Sequence, residues 1–372
     1  MMKGVNIKCG GMGKPRILII GTGGTIASVA SSENGSLTPE IGVEKLKGAL
    51  INQRNNESLE IELIQLMNKD STNVGPSDWD KLISTINENI DKYDGIVVLH
   101  GTDTMAYSSS ALSFVFRNIS KPIVFTGSML SAEEKNSDAP KNFNDALYVA
   151  SHGDIYKGVL VVFGGKVIPG NIATKIDTDD FEAFGTKVHT DLGIVGLYDI
   201  LRMDQGQEIY VEPIRKQNFD PNVLVIHLTP PGPSDETLKA IAGAVHGLVL
   251  EVFGSGGLPD SMLGTVSEIA SKIPVVLVTQ VTKGEMDLGK YKVGEDAKKT
   301  GIIDGGSLTV EAAVTKLEYI LARTKDLGQI KNFMLMNVCG EFQSTRVAEV
   351  NTSHNSEPLI NIRKSEVQKS VA

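Results

Sequence analysis

The sequence is poor in the residues that would staple, anchor or metallate it. Its two cysteines, Cys9 and Cys339, stand far apart and in no CxxC pattern, which excludes a disulfide framework and a thiolate metal site. The six histidines are scattered, with no HExxH or HxH, so a metal-activated water is not expected. Basic charge is also short: 36 Lys and Arg face 45 Asp and Glu, for a formal net charge of −9. Non-specific nucleic-acid binding needs cations to neutralise phosphates, and no local basic run reverses the balance. Nothing approaches the length of apolar chain that spans a bilayer, and no stretch of signal-peptide length precedes Pro15. These absences lead to the expectation of a cytoplasmic protein with no cofactor, no metal, and neither a membrane nor a nucleic-acid partner.

What is present reads as an enzyme-sized globular chain. At 372 residues, with 41% hydrophobic and 22% charged residues, it is too long for one small core and suggests two domains. Its 38 glycines suit a fold with many strand-to-helix turns.

Short apolar runs alternate with helical patterns through the first half. Arg16–Ile20, Leu59–Met67, Gly95–His100, Pro122–Gly127 and Gly158–Gly164 read as strands. Between them, Ser77 with Asp80 three residues on reads as a helix cap, followed by Trp79, Leu82, Ile83, Ile86 and Ile90 at helical spacing. Strands apolar on both faces and separated by helices indicate a mostly parallel sheet covered on both sides. Residues 1–204 are therefore read as a larger N-terminal α/β domain, and the polar stretch 205–221 as a linker. A smaller C-terminal α/β domain, 222–348, repeats the pattern with strands at Asn222–Leu228, Gly247–Phe253 and Ile273–Gln280. A helix after Thr309 there carries Ala312, Ala313, Leu317, Ile320 and Leu321 on one face. Residues 349–372 form a polar tail without periodicity.

Reactive groups in open parallel sheets gather at the carboxyl ends of strands, which selects the residues just after each run. Gly21-Thr22-Gly23-Gly24-Thr25 comes after the first. A dinucleotide fingerprint would need a third small position and a ribose-binding acid about twenty residues on; both are missing. No GKS or GKT is present to make a phosphate loop, so a tight turn remains the plain alternative. His100-Gly101-Thr102-Asp103-Thr104 ends the third run, where Thr and Asp are ordinary helix caps. Two threonine turns after the first and third strands would nevertheless face one cleft. Thr174-Lys175 is the third candidate. A loop lysine is usually solvated, but one desolvated beside a hydroxyl could serve as a base. No GxSxG elbow competes, and neither cysteine lies near a plausible base.

Taken in order, GTGGTIAS, LMNKDSTNVGPSDW, HGTDTMAYSSSALSF, TGSM with EKNSDAP, TKID and DLGKYKVG resemble the L-asparaginase family, most closely its cytoplasmic, archaeal-type members, over Arg16 to about Arg346. The resemblance implies hydrolysis of L-asparagine to L-aspartate and ammonia through a threonine nucleophile and an acyl-enzyme. It implies Thr25 as nucleophile, Thr102 and Asp103 as the second catalytic threonine and its aspartate, and Lys175 as the lysine completing the group. Ser71, after Asp70 and before Thr72, would hold the substrate α-carboxylate, and Asp103 its α-amino group. Gly24 and Gly101 would line the pocket, Ser128 would place a backbone carbonyl near the amide, and Glu285 would supply an acid across a subunit interface. A homodimer or homotetramer is implied as well.

A hydroxyl–amine relay suits this chemistry. A threonine hydroxyl is a weak nucleophile at its free pKa and needs a neighbouring base, and the tetrahedral oxyanion needs donors. A desolvated zwitterion needs both of its charges paired. One departure stands out: the family usually carries a tyrosine on the loop after the nucleophile, and none occurs between Ser28 and Ser58. Ser36, Leu37 and Thr38 are the nearest occupants. Two other functions remain open on sequence. One is the asparaginase-like subunit of the archaeal glutamyl-tRNA amidotransferase, which carries an extra N-terminal domain where only about fifteen residues precede the first strand here. The other is a non-catalytic amino-acid sensor.

Overall fold

The computed structural model describes residues 13–30, 37–188, 193, 195, 209–211, 219–290, 292–342 and 360–362. In chain order the first part contains β1 (Arg16–Gly23), β2 (Ser28–Ala30), β3 (Leu37–Pro39), α1 (Val43–Leu50), α2 (Gln53–Ser58), β4 (Glu60–Lys69), α3 (Pro76–Asn89), β5 (Gly95–Leu99), α4 (Met105–Val115), β6 (Pro122–Thr126), α5 (Ala139–Ala150), β7 (Gly158–Phe163), β8 (Lys166–Pro169), β9 (Ala173–Lys175) and β10 (Phe184–Thr186). The remainder is β11 (Ile209–Val211), β12 (Val223–His227), α6 (Asp235–Ala242), β13 (Gly247–Val252), α7 (Leu263–Ala270), β14 (Val275–Thr279), α8 (Lys292–Lys298), β15 (Ile303–Asp304), α9 (Val310–Leu321), α10 (Leu327–Leu335) and β16 (Ile360–Ile362).

Every residue of β1 after Arg16 is buried, because side chains alternate between two helix-covered faces. Leu18 and Ile20 enter the core that contains Trp79 of α3 and Leu112 of α4. Ile17 and Ile19 enter a second core with Leu46 of α1 and Phe143 of α5. The strand order is β4-β1-β5-β6-β7-β8. Neighbours from β4 to β7 run parallel, and β8 returns antiparallel at the edge. The chain leaves β1 to one side for β4 and then returns to the other side for β5. This makes the carboxyl ends of β1 and β5 the topological switch point where open α/β sheets bind ligands.

The smaller sheet is wholly parallel, in the order β12-β13-β14-β15. Its Leu248, Leu250 and Leu277 pack in a core with Leu238 of α6 and Val266 of α7. Its Val249, Val276 and Val278 face α9 and join the same core as Leu18 and Trp79. The two sheets therefore share one continuous apolar interior, with α4 lying on α9 across the junction. Phe219, inside the segment read as a linker, is buried there, with its ring 5.2 Å from Trp79 and 5.9 Å from Tyr319.

The architecture is the two-part α/β arrangement expected, with local corrections. α3 is not capped by Ser77. It starts at Pro76 after Gly75, because proline suits the first helical position and Asp78 reaches back to the Gly75 N–H at 3.4 Å. The Leu59–Met67 run forms its strand at Glu60–Lys69, since Leu59 closes α2 by donating its N–H to Asn55 O. The tail lies outside the described residues except for β16, which pairs antiparallel with β11. Among the described residues no helix is long and apolar enough to cross a membrane.

Candidate active site

Four neighbouring strands, β4, β1, β5 and β6, present their carboxyl ends side by side, and each is followed by a candidate motif. After β1, Gly24 takes φ +82°, and its Cα lies so close to the next turn that a Cβ would sit 2.3 Å from Gly101 Cα and N. Only glycine tolerates both the conformation and the approach. Gly24 N donates to Lys69 O at 2.9 Å, and Thr22 Oγ1 donates to Leu99 O at 2.8 Å, tying the end of β1 to both flanking strands. Thr25 then opens a single tight helical turn, Thr25–Ala27. It is half-buried.

The turn after β5 is more deeply set. Thr102 is 5% exposed, and Thr104 Oγ1 donates to Ser71 O at 2.6 Å. Behind it, His100 lies 2.8 Å by Nδ1 from Gly101 O and 2.9 Å by Nε2 from Ser108 Oγ, which also accepts from Trp79 Nε1 at 2.9 Å. A backbone carbonyl only accepts, so Nδ1 carries the proton to Gly101 O, and Nε2 of the neutral ring accepts from Ser108 Oγ. Burial lowers the His100 pKa to about 4, so the imidazole is neutral near pH 7. This buried chain fixes the peptide that carries Thr102.

Ser71 follows β4 and is buried. A Cβ on Gly101 would meet its Cβ and Oγ at 2.7 Å, so its hydroxyl adjoins the same turn. Asp70 and Thr72 are exposed. The Asp70 carboxylate accepts from Thr72 N at 2.9 Å and Thr72 Oγ1 at 2.7 Å, which caps the short turn bearing Ser71. After β6, Ser128 Oγ donates to Leu130 O. Asp138 braces that turn by accepting from Met129 N and Leu130 N.

Lys175 arrives from a different layer. It sits on β9, opposite Phe184 of β10, with its side chain 18% exposed. Its Nζ donates to Thr102 Oγ1 at 2.9 Å and to Asp103 Oδ1 at 2.6 Å. The Asp103 side chain is 57% exposed, leaving it open toward solvent. The structure thus brings together Thr102, Asp103 and Lys175 by direct contact. It sets Thr25 next to them through Gly24 and Gly101, with Ser71 on the far side of Gly101. Glu285 does not join this group within the chain; it is exposed and shares no hydrogen bond or ion pair with Thr25, Thr102 or Lys175. Of the residues nearest the missing tyrosine, Ser36 and the Leu37 side chain lie outside the described residues. Thr38 is exposed on β3, opposite Val29.

Sequence reasoning missed a cavity of about 800 Å3 on the other side of Lys175, between the two sheets. Thr174, Lys187, Glu251, Thr279 and Glu311 help line it, whereas Thr25, Thr102 and Ser71 do not. Thr174 Oγ1 donates to Glu311 Oε1 at 2.8 Å, and Lys187 Nζ donates to Thr279 O at 2.7 Å. Burial raises the Glu311 pKa and lowers that of Lys187. No spacing in the sequence signals these residues. Among the described residues no group of three or more His, Cys, Asp or Glu could hold a metal ion.

Comparison with known proteins agrees with this arrangement. Residues 16–205 match the family described as "Asparaginase, N-terminal", and residues 222–334 match "Glutaminase/Asparaginase C-terminal domain". The L-asparaginase of Thermococcus kodakarensis is 41% identical over 329 residues, covering 88% of this chain and 98% of that protein. The solved structure of the thermostable L-asparaginase from that organism superposes with a TM-score of 0.80 at 39% identity, covering 89% of this chain and all of the other. A glutamyl-tRNA(Gln) amidotransferase subunit from Aeropyrum pernix is 30% identical over 347 residues, covering 89% of this chain and 80% of that protein.

Proposed function

The chain belongs to the asparaginase family, and from that premise we propose that it hydrolyses L-asparagine to L-aspartate and ammonia with Thr25 as the nucleophile. The observation that carries the mechanism is the Lys175 amine lying 2.9 Å from Thr102 Oγ1 and 2.6 Å from Asp103 Oδ1, next to the Thr25 turn.

In this mechanism the substrate α-carboxylate is held by Ser71 and its α-ammonium by Asp103. The second Asp103 oxygen is available, and an α-ammonium arriving there competes with Lys175 for the carboxylate. That competition frees the amine toward Thr102. Thr25 Oγ1 attacks the side-chain amide carbon as the Thr102–Lys175 pair takes its proton and passes it to the leaving NH2 group, which departs as ammonia, and a threonyl ester of aspartate remains. Backbone N–H groups of the glycine-rich turns stabilise the tetrahedral oxyanion. Water, deprotonated by the Thr102–Lys175 pair, then cleaves the ester and returns the proton to Thr25. Carboxamide hydrolysis by an alcohol nucleophile needs such a positioned base because the free hydroxyl is too weak.

The sensor reading leaves the hydrogen-bonded lysine–threonine pair without a task. The amidotransferase-subunit reading has a relative at 30% identity in its favour, against 41% for the Thermococcus enzyme. Ammonia release from free asparagine, without a partner subunit or tRNA, separates these readings. Lys175→Met and Thr102→Val should each lower that rate about a hundredfold or more, because members of a relay act as a unit. Near wild-type release by either variant would remove that residue from the relay. The protein is further proposed to act in the cytoplasm as a homodimer or homotetramer, with Glu285 approaching the site of a neighbouring copy. Light scattering of wild type and kinetics of Glu285→Gln test this.

A further inference from the structure

Lys175 sits on a strand of three residues, too short for its ladder alone to hold an amine in place. The turn before it is held from two sides. Gly170 is pressed onto α4: a Cβ there would lie 2.8 Å from Ser109 O and 2.9 Å from its Cβ, and Ser109 Oγ donates to Gly170 O at 3.1 Å. Asn171, which is 2% exposed, donates from Nδ2 to Cys339 O at 2.8 Å and lies 3.2 Å from Cys339 Sγ.

Cys339 belongs to a turn with an unusual brace. Lys316 and Glu341 are both 0% exposed and form an ion pair at 2.5 Å. The Lys316 ammonium also donates to Met334 O at 3.0 Å and Met336 O at 2.5 Å, which uses all three of its protons. Glu341 accepts from Val338 N at 2.9 Å and Cys339 N at 2.8 Å. A buried ion pair is an expensive route to stability, since an apolar pair of similar volume often does as well. What this one supplies is a single geometry for residues 336–342.

We propose that Asn171 is a positioning residue for Lys175, docking the β8–β9 turn onto the segment braced by Lys316 and Glu341. This assigns the C-terminal half of the chain a part in catalysis without placing any of its atoms on the substrate, and it rests on the reading of Lys175 as the base. Thr174, whose hydroxyl bonds Glu311 of α9, is a second strut to the same half.

The test uses the full-length protein as Asn171→Leu, Cys339→Ala and Lys175→Met, compared with wild type in asparagine kinetics, pH–rate profile and melting temperature. Displacing a catalytic group by about 1 Å costs roughly a hundredfold. Folded Asn171→Leu is therefore expected to lose about 10- to 100-fold in kcat, with KM little changed and a pH profile shifted toward that of Lys175→Met. Cys339→Ala keeps the accepting backbone carbonyl and is expected to keep the wild-type rate. If Asn171→Leu does not fold, Asn171→Ser, too short to reach Cys339 O, carries the same expectation. Wild-type kcat and pH profile in the folded Asn171 variant, with Lys175→Met slowed about a hundredfold, would overturn the inference. An active Lys175→Met would instead overturn the reading of Lys175 beneath it.

Discussion

Replacing Gly24 by alanine tests whether the close packing of the two threonine turns is what makes the site work. A Cβ at Gly24 would lie 2.3 Å from Gly101 Cα and N, about 1 Å short of an ordinary contact. Both atoms are backbone, so no side chain can swing away. The backbone at residue 24 also has φ +82°, which a side chain adopts at a cost of roughly 1–3 kcal/mol. Overpacking adds about 1–3 kcal/mol more. Together these come to about 2–6 kcal/mol, below all but the low end of the usual stability of a folded domain, about 5–15 kcal/mol, so Gly24→Ala should fold with a lowered melting temperature. The turns must separate by about 1 Å, and displacement of that size costs roughly a hundredfold in rate. The assay is ammonia release from asparagine at saturation, with circular dichroism to establish folding. A folded Gly24→Ala enzyme with wild-type kcat would refute the idea that Thr25 and Thr102 cooperate across this contact.

Other expectations come from buried ionisable groups. His100 has its pKa lowered by burial to about 4 from 6.5, so the unfolded chain binds the extra proton first as pH falls. The stability from neutral His100 is present above pH 6.5 and lost between there and about 4, a change of about 3 kcal/mol; His100→Gln should flatten that part of the melting profile, and an unchanged profile would contradict the assignment. Glu318, 6% exposed and with its Oε2 lacking a partner, has its pKa raised by burial to about 8. Between pH 4.5 and 8 the folded chain keeps a proton the unfolded chain releases, so stability falls by about 1.4 kcal/mol per pH unit. Glu318→Gln should therefore raise the melting temperature at pH 8 and leave it nearly unchanged at pH 4; no gain at pH 8 would count against a buried neutral acid.

Much of this fold could be read from residue pattern. The runs at Arg16, Gly95, Pro122, Gly158, Gly247 and Ile273 are strands because both faces are covered, and such strands leave an apolar signature longer than chance. Three-residue strands leave none. β9 and β10 exist through tertiary pairing, so the pattern places Lys175 only in a loop where a buried amine could act as a base, and its partners Thr102 and Asp103 come from the family resemblance and not from periodicity. The motifs at the ends of β1 and β5 were legible because strand ends at a switch point are where open sheets react. The bracing groups were not. Lys316 and Glu318 lie on α9 at positions that would read as solvent-facing, yet every residue from Ala312 to Leu321 is buried, because α4, α10 and the smaller sheet all pack on that helix. Ser77 does not cap α3 because Gly75-Pro76 starts the helix two residues earlier, with the Asp78 carboxylate accepting from Gly75 N.

The central claim is a covalent step at Thr25. Acid-quenching the enzyme during asparagine turnover, digesting it and mapping adducts by mass spectrometry tests that claim most directly. An aspartyl ester is expected on the peptide containing Thr25, absent from Thr25→Val, which should release little ammonia. An ester located on Thr102 instead, or a Thr25→Val enzyme that turns over asparagine at the wild-type rate, would contradict it.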